Sequence, residues 1–163
     1  MNSKRSRVLV SVALTAILSL AGCARLNHNS MSDSGMNNEQ ISAAVRAVLD
    51  DQVQAWNRGD LEGFMKGYAK SDDTTFISGD SLTRGWQTVL DRYKKNYDSR
   101  EKMGTLAFTE LEVKPISNDA AVVNGRYQLT RATDKPSGRF TLIFRRLADG
   151  WRITHDHTSS AGS

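Results

Sequence analysis

Residues 139–158 read RFTLIFRRLADGWRITHDHT, two runs of alternating polar and apolar side chains on either side of Ala148-Asp149-Gly150. A period of two marks a strand with one covered face, and Asp-Gly between two such runs is a hairpin turn. Residues 139–147 and 151–158 are therefore predicted as paired strands. The same period holds upstream in 106–113 and 120–129, separated by Ser117-Asn118-Asp119, while 133–138, with Pro136, forms the turn into the hairpin. Before residue 100 the period lengthens. Ile41, Val45, Val48, Leu49, Val53 and Trp56 fall at three-and-four spacing, which predicts a helix over 39–56. Gly59 suits its C-terminal cap, and Asp60 the N-cap of a shorter helix over 61–69. A short strand over 74–78, a turn at Gly79-Asp80-Ser81 and a third helix over 84–97 complete the order. Three N-terminal helices and a run of strands define an α+β domain with helices gathered against one antiparallel sheet.

The chain begins differently. Lys4, Arg5 and Arg7 precede an uncharged run from Val8 to Leu20, then Leu20-Ala21-Gly22-Cys23. A basic start, a short apolar stretch and small residues before a cut make a secretory signal peptide over 1–22, too short for the roughly 20 residues of a permanent membrane span. Leu-Ala-Gly-Cys resembles the lipobox of bacterial lipoproteins. That resemblance implies cleavage before Cys23, diacylation of its sulfur, and anchoring to the cell envelope; Ala24 after the cysteine implies the outer membrane, facing the periplasm. Two acyl chains give the stable anchoring that one does not. Residues 23–38, rich in Asn, Ser and Gly, read as a flexible tether, and 39–163 as one domain.

Of 163 residues, 22 are basic and 18 acidic, but the three cations of the signal peptide leave 19 against 18 from Cys23 onward. So even a balance excludes a chain-wide polycation for nucleic acid. Cys23 is the only cysteine, so no intramolecular disulfide forms. Residues 126–152 hold seven basic and two acidic side chains. This local excess fits a solvated sheet, an anionic ligand held by Arg145, or complementarity across a dimer. Arg145 shares parity with Arg139, Thr141 and Ile143, and Arg146 with Phe140, Leu142 and Phe144, so the pattern leaves open which set faces inward.

The run Ala55-Trp56-Asn57-Arg58-Gly59-Asp60-Leu61-Glu62-Gly63-Phe64, followed by Tyr68-Ala69, Gly79, Gly85 and the ending Gly150-Trp151-Arg152-Ile153 to Asp156-His157-Thr158-Ser159, resembles the SnoaL-like branch of the nuclear transport factor 2-like superfamily. The last strand is also similar to the end of the calcium/calmodulin-dependent kinase II association domain. The resemblance implies a cystatin-like cone, a curled sheet around a long helix, commonly paired as a homodimer through its outer face. It does not imply one function, because the superfamily holds isomerases, dehydratases, cyclases and binding modules.

Strand parity puts His155 and His157 on one face with Trp151 and Ile153, about 6.6 Å apart. An apolar Trp and Ile make that the inner face, so both imidazoles are expected at the cavity as general base or ligand donor. Asp156 then points outward, towards an ion pair with a sheet arginine. No third histidine stands ready for a metal site, and no cofactor is called for. Trp56, Tyr68, Trp86 and Tyr93 are expected on the cavity wall. Gly79-Asp80-Ser81-Leu82 spells the GDSL esterase motif, but the chain lacks that family's other blocks and the residues read better as turn chemistry. The sequence thus points to a lipid-anchored domain that binds a small, partly apolar molecule. The alternatives are an acid–base enzyme of isomerase, dehydratase or hydrolase type, or a non-catalytic oligomerisation module.

Overall fold

The computed structural model describes residues 35–161. The predicted signal peptide over 1–22, Cys23 and the predicted tether up to residue 34 lie outside the described residues. Helix α1 (Asn38–Asn57) starts at a reciprocal cap. Asn37 Oδ1 accepts from the Gln40 amide at 2.8 Å, and Gln40 Oε1 accepts from the Asn37 amide at 2.9 Å. The helix buries Ile41, Val45, Leu49, Gln52, Ala55 and Trp56. It ends where Gly59 adopts a φ of 85°, a left-handed value that glycine takes without strain.

Asp60 caps α2 (Leu61–Met65), accepting from the Gly63 amide at 2.6 Å. This helix is shorter than the predicted 61–69. Its continuation leaves helical geometry to pair with the far end of the chain, the Ala69 amide donating to the Ile153 carbonyl and the Ile153 amide to that of Gly67, both at 2.8 Å. Strands β1 (Thr75–Ser78) and β2 (Ser81–Arg84) form a hairpin with Gly79-Asp80 at its tip. Ser81 is thus an exposed strand residue opposite Ser78, and β2 was not expected. Next come α3 (Trp86–Asn96), the single turn α4 (Arg100–Met103), then β3 (Thr105–Ser117), β4 (Ala120–Thr130), β5 (Ser137–Leu147) and β6 (Gly150–Ser160).

The six strands form one sheet in the order β2-β1-β6-β5-β4-β3, antiparallel except for the parallel pair β1–β6. Asn57 ties the end of α1 to the start of β3 as a ladder rung would: its Nδ2 donates to the Leu106 carbonyl at 3.0 Å and its Oδ1 accepts from the Leu106 amide at 2.8 Å. Pro115 is accommodated because β3 is an edge strand, with a register shift beside it. At Gly125 of β4 a side chain would run into the Phe140 ring, so the missing Cβ lets Phe140 lie flat against the inner face. Inner side chains of β4, β5 and β6, among them Val123, Leu142, Phe144, Trp151 and Ile153, pack with α1 into the core.

One irregularity decides what the site contains. Ile143 of β5 pairs with His155, but its neighbour Phe144 pairs with Ile153, so Thr154 has no partner opposite it. This is a β-bulge, and the extra residue inverts side-chain parity for the rest of β6.

Candidate functional site

Between the helices and the inner sheet face lies a cavity of about 160 Å³. Its walls are largely aromatic: Trp56 from α1, Phe64 from α2, Phe76 from β1, Tyr97 after α3, Phe108 from β3 and Phe140 from β5. The rings brace one another edge to face, with centroids of Trp56 5.2 Å from Phe64 and 4.7 Å from Tyr97. Trp56 spends its ring N–H on the Met103 carbonyl at 3.2 Å, which fixes the indole plane.

Part of the cavity lining is polar. Asp156 is 4% exposed there, and Phe76, its parallel partner on β1, is buried beside it. Tyr68 Oη donates to Asp156 Oδ2 at 2.7 Å, and Thr158 Oγ1 donates to Oδ1, also at 2.7 Å. Tyr93 Oη stands 3.5 Å from Tyr68 Oη. Burial raises the Asp156 carboxyl to about 6, against the opposing pull of the Thr158 and Tyr68 hydrogen bonds and of His157. Burial, and then the Asp156 charge, hold the Tyr68 hydroxyl well above the ordinary tyrosine range. Tyr93 is raised for the same two reasons. Both phenols are therefore neutral donors. Gln52, 2% exposed, also lines the cavity, its Nε2 donating to the Phe64 carbonyl at 3.1 Å.

Several sequence expectations need correction. His155 and His157 do not line the cavity: beyond the Thr154 bulge they take the outer face, His155 half-buried and His157 exposed. For the same reason Asp156, expected outside and paired with an arginine, is the buried group. Arg145 lies on the outer face, ion-paired with Asp119 at 2.7 Å, with Ala121, Phe140, Leu142 and Phe144 filling the inner one. Arg146, though in step with the inner set, is exposed at the strand end. Trp86 is away from the cavity, donating to the Met65 carbonyl at 2.9 Å with Lys70 over its ring. Tyr93 stands behind the wall, against Phe64 and Phe76, and reaches the site only through Tyr68. Trp56 and Tyr68 do line the cavity. Sequence reading missed Asp156, and a single-residue bulge leaves no periodic signal by which to find it. Phe64 and Tyr97 had one, their place on the inner sides of helices. Among the described residues no cluster of three or more His, Cys, Asp or Glu could hold a metal ion.

A curled, unclosed six-stranded sheet wrapped over helices, with a cavity at its centre, defines the nuclear transport factor 2-like, cystatin-like class. Residues 45–162 match the model of the SnoaL-like domain, and the chain belongs to that family. A crystal structure of a nuclear transport factor 2-like protein of unknown function from Shewanella oneidensis is similar at 42% identity and a TM-score of 0.70, covering 73% of this chain and 98% of that one. A ketosteroid isomerase-like protein from Erwinia carotovora atroseptica shares the fold at 22% identity and a TM-score of 0.62, over 78% of this chain and all of that one. A calcium/calmodulin-dependent kinase II association domain protein from Xanthomonas campestris shares it at 16% identity and 0.59, over 73% and 86%. Comparison with curated proteins gives no match.

Proposed function

We propose that this domain binds a small, partly apolar molecule in the cone, with the aromatic wall holding its body and Asp156 its polar end. The observation that carries this reading is a buried carboxylate in the wall of an aromatic-lined cavity of about 160 Å³. A cavity of about 150 Å³ in a protein core takes up a single benzene ring. Native mass spectrometry of the protein purified from its host reads the bound molecule directly. Filling the space with Leu142→Trp is expected to abolish it; a wild-type protein that carries no small molecule and takes up none from a fragment mixture defeats the reading.

A second reading is proton transfer of the isomerase or dehydratase kind, with Asp156 as general base in place of the histidines. What favours it is a carboxylate that lines the cavity, holds the Tyr68 hydroxyl at 2.7 Å and is raised by burial above the ordinary carboxylate range. Exchange of deuterium into the acidic C–H of a small cyclic ketone, lost in Asp156→Asn, would support it; equal exchange in both proteins would sink it.

Lipid anchoring through Cys23 and pairing of two copies through the outer sheet face belong to the same proposal, on the strength of the lipobox resemblance and of the family. Cys23→Ala is expected to release the protein from the membrane fraction, and full retention with normal processing would refute the anchor. Sedimentation of the purified protein as a monomer at micromolar concentration would refute the pairing.

A further inference from the structure

Among the described residues Asp156 is the only buried acidic side chain, and it has no cationic partner. Buried charges are ordinarily paired or bound to a metal, because a carboxylate removed from water loses far more than two neutral hydrogen bonds return. No Lys, Arg or His lines the cavity that Asp156 faces. Arg92, stacked 4.9 Å from the centre of the Phe76 ring, is committed to Thr83 at 2.8 Å.

The hydrogen bonds around Asp156 are one-sided as well. Tyr68 and Thr158 have turned their hydroxyl hydrogens onto Asp156, and Trp56 has given its ring N–H to Met103. Gln52 has given one amide hydrogen to Phe64 and keeps its second, and the other hydroxyls of the lining, on Ser78, Tyr97, Tyr127 and Ser160, can donate or accept. Around Asp156 itself the hydrogens are spent and lone pairs face the space: those of the carboxylate and of the Tyr68 and Thr158 oxygens. The aromatic faces around them carry negative quadrupoles, which attract a cation and repel an anion.

We infer that the cone selects a small organic ammonium, a single-ring or short-chain amine whose N–H groups donate to Asp156 while its apolar body lies against Trp56, Phe64 and Phe140. The inference rests on the binding reading above and names its ligand class. An ammonium there supplies the missing counter-charge and satisfies acceptors that a carboxylate or a carbonyl oxygen would leave facing its own lone pairs.

Three probes of one shape test this on the wild-type protein by calorimetry at pH 8: benzylamine, benzyl alcohol and benzoate. Benzylamine is expected to bind at least about tenfold more tightly than benzyl alcohol, because it adds a counter-charge to the hydrogen bond that both can donate to the carboxylate, and benzoate not at all. Asp156→Asn is expected to erase the preference for the amine, bringing its affinity to that of benzyl alcohol or below. Benzoate binding as tightly as the amine, equal affinity for amine and alcohol, or an amine preference that persists in Asp156→Asn overturns this inference and leaves the cavity reading intact. Failure of all three probes to bind overturns both. The ranking on wild-type protein stands whether or not the variant folds.

Discussion

Replacing Asp156 by Asn should make this protein more stable at pH 8 and leave it almost unchanged at pH 4. The carboxyl is raised from its ordinary 3.8 to about 6 in the folded protein. Each unit is worth about 1.4 kcal/mol, so the ionised side chain costs the native state about 3 kcal/mol relative to the protonated one. Well below the ordinary value of 3.8 folded and unfolded chains both carry the proton, and the native state keeps its full advantage. Between about 4 and 6 only the folded chain still holds it, so stability falls as the pH rises, and above 6 the advantage is gone. Asparagine is neutral throughout. Its Oδ1 takes over the hydrogen bond from Tyr68, and the Thr158 hydroxyl is free to rotate and accept from Nδ2. The variant therefore behaves as protonated aspartate at every pH. Urea unfolding at pH 4, 5, 6, 7 and 8 should show a difference that grows from near zero to about 3 kcal/mol, about 10 °C in melting temperature for a domain of this size. A constant difference across that range, or a variant less stable than wild type at pH 8, would refute the reasoning that burial dominates at this carboxyl. Such a gain on removing a polar group is expected where stability has been given up for a site.

Tyr68→Phe removes a donor to the ionised carboxylate, so the Asp156 carboxyl should titrate higher than in wild type, with a loss of about 1–2 kcal/mol at pH 8; carbon-13 NMR of the carboxyl reads the shift, and a lower value would contradict the geometry. Gly125→Val drives a side chain into the Phe140 ring and should cost about 1–3 kcal/mol in urea unfolding, whereas a neutral result would mean that the inner face is looser than described. Arg145→Ala breaks only a half-exposed ion pair with Asp119, so stability should change by less than about 1 kcal/mol and benzyl alcohol binding not at all; a large loss of binding would restore Arg145 to the cavity.

Much of the fold was legible because it depends on local periods. The three-and-four spacing from Ile41 to Trp56 places α1 to within a residue at each end, and Gly59-Asp60 marks the break that follows. The period of two places β3 to β6, and Asp149-Gly150 the turn between the last two. Two local errors have non-local causes. Residues 66–69 have helical spacing, yet the open ladder groups of β6 draw Gly67 and Ala69 into pairing. Ser81–Arg84 is too short and polar to announce a strand, and becomes one because β1 lies beside it.

The site was read half correctly for a sharper reason. Trp56 and Tyr68 were legible as inward residues because a helix face is set by its own sequence. The face of a strand residue is set by counting from a partner, and the count in β6 changes by one where Phe144 meets Ile153 and Ile143 meets His155. Up to Ile153 parity holds; beyond it His155 and His157 turn outward and Asp156 turns in. By itself, then, the sequence determined the α+β class, most of the element order, the family resemblance and the aromatic residues available for a wall. Only the tertiary structure decided which ionisable group those aromatics enclose. That choice rests on register between strands, which hydrogen bonding across the sheet sets and no local pattern of side chains contains.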